Sequence, residues 1–160
     1  MKNDSTYLLI LISTLSKKND TLDDLINITL QQEGYLKTTP QDMESFEKTL
    51  DRKADMIESL NQLDEGFESV YERVKEELSF NKEKYQTEII KLQELIRFAT
   101  DKSIKLKALE QQNKRIIETY FAGKKNDIKN FKKSNQTATN YYRSMVDMHQ
   151  SDSYFLDKKK

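Results

Sequence analysis

The chain has 160 residues, 34% of them charged and 36% apolar, with three glycines, one proline, no cysteine and no tryptophan. One domain is the most such a length holds; the apolar share is too small for a thick globular core and too regularly spaced for a disordered chain, so helical rods and hairpins fit best. Twenty-seven basic residues balance twenty-seven acidic ones, which removes any net-charge reason for nucleic acid or an anionic membrane as main partner, and the lack of cysteine excludes disulfides and thiolate metal sites and suits a reducing cytoplasm.

A first helix is expected from about Asp4 to Glu33. Its run "YLLILI", Tyr7 to Ile12, is broken by Ser13 and Thr14 and stopped by Lys17 and Lys18. It falls far short of the roughly 20 apolar residues a membrane span requires, so it reads as one face of a helix core, with no stable membrane insertion. Gly34 suits a C-cap, and Thr39, Pro40 and Asp42 supply an N-cap, a proline at the first helical position and an acid at the third. A second helix therefore starts near Thr39, antiparallel to the first because the connection is short.

From Met43 onward, steps of seven pass through Leu50, Ile57, Asp64, Tyr71, Leu78, Tyr85, Leu92, Ala99, Leu106, Asn113 and Tyr120, and only Asp64 and Asn113 are polar. A companion series three residues later, from Phe46 through Lys53, Leu60, Phe67 and Val74 to Ile116, is patchier. This is the narrow seam of helices packed at shallow angles. One helix over that range would be about 115 Å long, so a reversal is expected. Gly66 is one place for it. "SFNKEK", Ser79 to Lys84, is favoured, because Phe80 leaves the register there while the seam continues on both sides of Gly66.

Beyond Gly123 the register decays, although Ile128 and Phe131 persist, and the low hydropathy predicts a helical or flexible segment that buries little by itself. The expected organisation is an all-α antiparallel bundle of about three long amphipathic helices over residues 1–122, followed by a partly ordered partner-binding segment over 123–160.

Little in the chain points to catalysis. His149 is the single histidine, with no second imidazole or thiol for a metal and no rigid pocket for a nucleophile and base, so it reads as exposed and structurally neutral. Acidic neighbours such as Glu76 and Glu77 diverge by about 100° on a helix and read as solvated faces. Three isolated glycines cannot form a phosphate-binding loop. The chain is therefore read as no enzyme, with no cofactor. Lys124, Lys125, Lys129, Lys132 and Lys133 form a basic patch, but no arginine and only Phe131 interleave, so nucleic acid is not expected as a partner.

The stretch "LEQQNKRIIE", Leu109 to Glu118, is similar to the last long helix of flagellar export chaperones of the FlgN type, with Asn113 on the family's asparagine and Ile116 or Ile117 on its following aliphatic residue. The upstream "TTPQDMESFEK" and "KADMIESLNQLDE", and the closing "NYYRSM" and "SYFLDKKK", also resemble that family's Firmicutes members, while its longer connection before the last helix is replaced here by "SFNKEK". The resemblance implies a cytoplasmic chaperone that binds the C-terminal helices of hook-filament junction proteins, keeps them soluble and delivers them to the export gate. The residues expected to hold such a partner are Asn113, Ile117, Tyr120, Ile128, Phe131, Tyr141, Tyr142, Met145, Tyr154, Phe155 and Leu156. The alternative is a structural coiled-coil homo-oligomer or adaptor protein without cargo, the register of the oligomer set by Asn81 and Asn113.

Overall fold

The computed structural model describes the backbone of residues 2–120, 122 and 125–157, and the side chains of residues 4–120, 122 and 131–147. Among these residues there are four helices and no strand: α1 Lys2–Lys37, α2 Met43–Phe80, α3 Gln86–Tyr120 and α4 Lys125–Asp157. Helix α1 packs against α2 and α3, α4 packs against α3, and α4 touches α2 only sparsely. Successive helices are antiparallel, so α1 and α3 run side by side in the same direction, as the cross-contacts Asn19 to Leu95 and Asn113 to Thr29 require. No described helix is long and apolar enough to cross a membrane.

The helix count exceeds the expected three because the segment after Gly123 forms a full helix. Its overall hydropathy is low, but burial needs only one stripe. Phe131, Asn135, Ala138, Tyr142 and Met145, spaced by four and three, are all buried, and Ala138, Tyr142 and Met145 join a cluster with Leu22, Leu25, Leu60, Ala99 and Leu106.

Helix α1 also runs past Gly34, where the sequence suggested its end. Leu36, two residues on, is 2% exposed and packs with Phe46, Ile117 and Phe131. Burying that leucine contributes about 1.5–3 kcal/mol, more than the roughly 1 kcal/mol that a glycine costs inside a helix. The cap of α2 moves correspondingly to Asp42, whose carboxylate accepts the Ser45 N–H at 3.1 Å. Thr39 and Pro40 lie in the connection, where the Gln41 amide donates to Leu36 O at 2.7 Å and the Asp42 N–H to Tyr35 O at 3.0 Å. These bonds satisfy carbonyls that the end of α1 would otherwise leave open.

The reversal between α2 and α3 falls at the second of the two expected places. Asn81 caps α2 through its N–H to Glu77 O at 2.9 Å, and Asn81 O then receives the Lys84 N–H at 3.1 Å, which closes the turn. Tyr85 follows at 2% exposure and starts the next buried stripe. Helix α2 passes through Gly66 on its exposed face, because seam residues on both sides hold it to the core.

Along the bundle axis the interior alternates in character. Three apolar clusters are centred on Leu11, Leu78 and Leu92, on Leu25, Leu60 and Leu106, and on Leu36, Phe46 and Ile117. Leu8 and Leu11 of the "YLLILI" run are buried in the first, as the helix-core reading expected, whereas Leu9 and Ile10 face outward. Buried and partly buried polar residues separate the clusters. Lys18, Asn19, Asp64 and Tyr141 lie between the first two, and Thr29, Gln32, Thr49, Lys53, Glu110, Asn113 and Asn135 between the second and third.

Candidate functional site

The larger polar layer draws a residue from every helix. Lys53 of α2 and Glu110 of α3 form an ion pair whose side chains are only 8% and 5% exposed. Lys53 Nζ also donates to Gln32 Oε1 at 3.0 Å, and Gln32 Nε2 donates to Thr49 Oγ1 at 2.7 Å. From α4, Asn135 Nδ2 donates to Glu110 Oε2 at 3.3 Å. Asn113 Nδ2 donates to Thr29 O at 3.1 Å, tying α3 to α1. Burying two charges is expensive, and the pair is tolerable because the surrounding amides and hydroxyls complete its coordination.

Above this layer α2 and α4 part to leave a cleft of about 300 Å³. Leu50, Ala54 and Ile57 form its α2 wall, Phe131, Ser134 and Ala138 its α4 wall, and Gln32, Lys53, Glu110 and Asn135 its floor. The cleft has the makeup of a recognition site: mostly apolar walls with a few convergent polar groups at the base. It exists because α4 takes most of its packing from α3 and, between Phe131 and Tyr141, lines the gap toward α2 with the short side chains of Ser134 and Ala138.

The second polar layer clips the same two helices together. Asp64 of α2 pairs with Lys18 of α1 at 2.5 Å and accepts the Tyr141 hydroxyl of α4 at 2.6 Å. Lys18 is almost fully buried and Asp64 keeps 18% of its side-chain exposure. Burial, reinforced by the Asp64 charge and by the hydrogen bond to it, pushes the Tyr141 phenol far above its ordinary ionisation range, so it remains a donor. Burial and the nearby Glu110 charge push Tyr142 up as well.

Among the residues expected to bind a partner, Asn113, Ile117, Phe131, Tyr142 and Met145 are buried inside the bundle, and Tyr120 and Tyr141 are half-buried. They anchor α3 and α4 to the core instead of presenting a bare surface, since a tyrosine or phenylalanine gains most from burial wherever a stripe offers it. Only Phe131 also lines the cleft. The side chains of Ile128, Tyr154, Phe155, Leu156 and His149 lie outside the described residues. Lys132 and Lys133 of the basic patch are exposed, with Lys132 3.5 Å from Glu118.

The residues that shape the cleft and its clip, Lys53, Glu110, Gln32, Asp64 and Lys18, were missed as site candidates. A signal for two of them was present: Asp64 and Lys53 interrupt the apolar series at seam positions. Glu110 lies inside "LEQQN", three residues before Asn113. Among the described residues, no group of three His, Cys, Asp or Glu is placed to hold a metal ion. Several large apolar side chains remain exposed: Phe80 at 84%, Leu9 at 64% and Ile90 at 53% lie toward the end where α1 begins and α2 turns into α3, while Phe98, Ile104 and Leu30 lie further along α3 and α1. No family model, curated protein or solved structure matches the chain.

Proposed function

We propose that this protein is a helix-binding chaperone that holds an amphipathic helix of a partner in the cleft between α2 and α4. The observation that carries the reading is the asymmetry of α4: held along α3, it leaves an apolar cleft toward α2, beside the hydrogen bond from Tyr141 to Asp64. An amphipathic helix laid over that cleft would insert apolar side chains between Leu50, Ile57 and Phe131 while its polar face stayed in water. The resemblance to FlgN-type chaperones supplies the cargo class: C-terminal helices of hook-filament junction proteins, which must be kept from assembling in the cytoplasm before they reach the export gate. In this reading Tyr141, Tyr142 and Met145 position one wall of the site.

The test is calorimetric titration of the full-length chain with peptides from the C-terminal helices of hook-filament junction proteins. Ala54 lies exposed on the cleft wall, so Ala54→Arg blocks the cleft without disturbing the core. Binding that falls at least about tenfold in this variant, with an unchanged melting curve, supports the reading. Binding that is indifferent to the arginine places the contact elsewhere. The exposed Phe80, Leu9 and Ile90 favour a second reading, self-association into a homo-oligomer without cargo. Light scattering that gives a mass above one chain, lost in Phe80→Ser and unaffected by the peptides, would favour it.

A further inference from the structure

The floor of the cleft restricts which helices it accepts, an inference that rests on the cleft being the helix site proposed above. Lys53 lines the cleft, and its ammonium carries three N–H donors. Within the described contacts one goes to Glu110 Oε1 and one to Gln32 Oε1. The Glu110 carboxylate, in turn, takes its bond from α4 through an uncharged amide, Asn135. The two charges thus cancel, and the neighbouring side chains bonded to them, two amides and the Thr29 hydroxyl, are neutral.

We infer that Lys53 selects the guest: its third donor takes the side-chain oxygen of an asparagine or glutamine on the bound helix. The preferred partner is then an amphipathic helix whose apolar stripe is interrupted by one amide over Lys53. Helix α4 displays a related pattern within this chain: Asn135 is the one buried amide between Phe131 and Ala138 among the described residues, and it meets the same ion pair from the other side by donating Nδ2 to Glu110. An apolar residue at that point covers an ammonium donor without supplying an acceptor. A carboxylate there competes with Glu110 for one ammonium and adds a second negative charge to a nearly dry layer.

The experiment uses three synthetic helical peptides of about 18 residues, long enough to span the cleft, identical except for one stripe position that is Asn, Leu or Asp. Each is titrated into the full-length chain. The expected ranking places the Asn peptide about tenfold tighter than the other two, the scale of one hydrogen bond to a charged group. In the double variant Lys53→Met, Glu110→Gln, which keeps an amide for Asn135, the Leu peptide becomes the tightest. Equal affinities of the Asn and Leu peptides for the unmodified chain would overturn the selection and leave the helix-binding reading standing; binding of none of the three would overturn both. If the double variant does not fold, the ranking on the unmodified chain decides.

Discussion

Tyr142 offers a direct test of whether α4 belongs to the folded unit. Its side chain is fully buried, among Leu22, Leu25, Leu60 and Leu106 from the other three helices, while its hydroxyl has no hydrogen-bond partner among the described residues. Truncation to alanine removes an aromatic ring from a site that four helices hold open, so Tyr142→Ala is expected to cost about 3–5 kcal/mol, the usual range for large aromatic deletions. That is a large part of a total stability of roughly 5–15 kcal/mol. At about 2–4 °C per kcal/mol for a chain of this size, the melting temperature should fall by roughly 6–20 °C. Tyr142→Phe, in contrast, keeps the ring and deletes a buried hydroxyl without a protein partner, and should be neutral or stabilising by up to about 1 kcal/mol. Urea unfolding at pH 7 followed by circular dichroism measures both, with an unchanged m-value in each variant. If Tyr142→Ala lies within about 0.5 kcal/mol of the unmodified chain, the reasoning fails and α4 is an attachment that opens without the bundle.

Four further outcomes follow from the same geometry. Asp64→Asn removes the charge that Lys18 and Tyr141 share and should cost about 3 kcal/mol in urea unfolding, at the low end for half of a buried pair because Asp64 retains 18% exposure. Gly66→Ala should stabilise by about 0.5–1 kcal/mol, since the position is helical and exposed and an added Cβ meets nothing within 4 Å; a loss of stability would deny that α2 is continuous there. Both Tyr141 and Tyr142 have folded-state ionisation raised above the ordinary 10.0, so the native state holds protons that the unfolded chain releases; their contribution is complete below pH 10 and declines as the pH rises above it. Urea midpoints at pH 9 and 11 should show that decline, and the paired Tyr141→Phe, Tyr142→Phe variant should show less of it. Finally, Asp42 has its ionisation lowered chiefly by the Ser45 hydrogen bonds, so its capping contribution is lost as the pH drops through its folded-state value, and Asp42→Ala should remove that part of the acid sensitivity.

How far the site was legible can be judged from the seam itself. The seven-residue series contained Asp64 and Asn113 and the companion series contained Lys53, and all three turn out to be members of the polar layers. A charged residue at a seam position has to be matched by something, so the sequence already announced a buried partner. It did not announce which one. Lys53 finds Glu110 across 57 residues and Asp64 finds Lys18 across 46, and such pairings depend on which helices become neighbours. The aromatic residues of "NYYRSM" were conspicuous in sequence, yet a stripe looks the same whether it awaits a guest or closes on its own bundle.

The sequence by itself determined that the chain is helical and that its helices carry narrow apolar stripes, and it favoured a reversal within Ser79 to Lys84 over Gly66, because periodicity is a local property of consecutive residues. Only the tertiary structure decided the rest. Burial of Leu36 carries α1 beyond Gly34, burial of Phe131, Tyr142 and Met145 gives the polar last quarter of the chain a place in the core, and the spread between α2 and α4 opens a cleft over Lys53 and Glu110. Those outcomes depend on contacts between residues far apart in the chain, whose burial free energy exceeds the local preferences that a linear reading weighs.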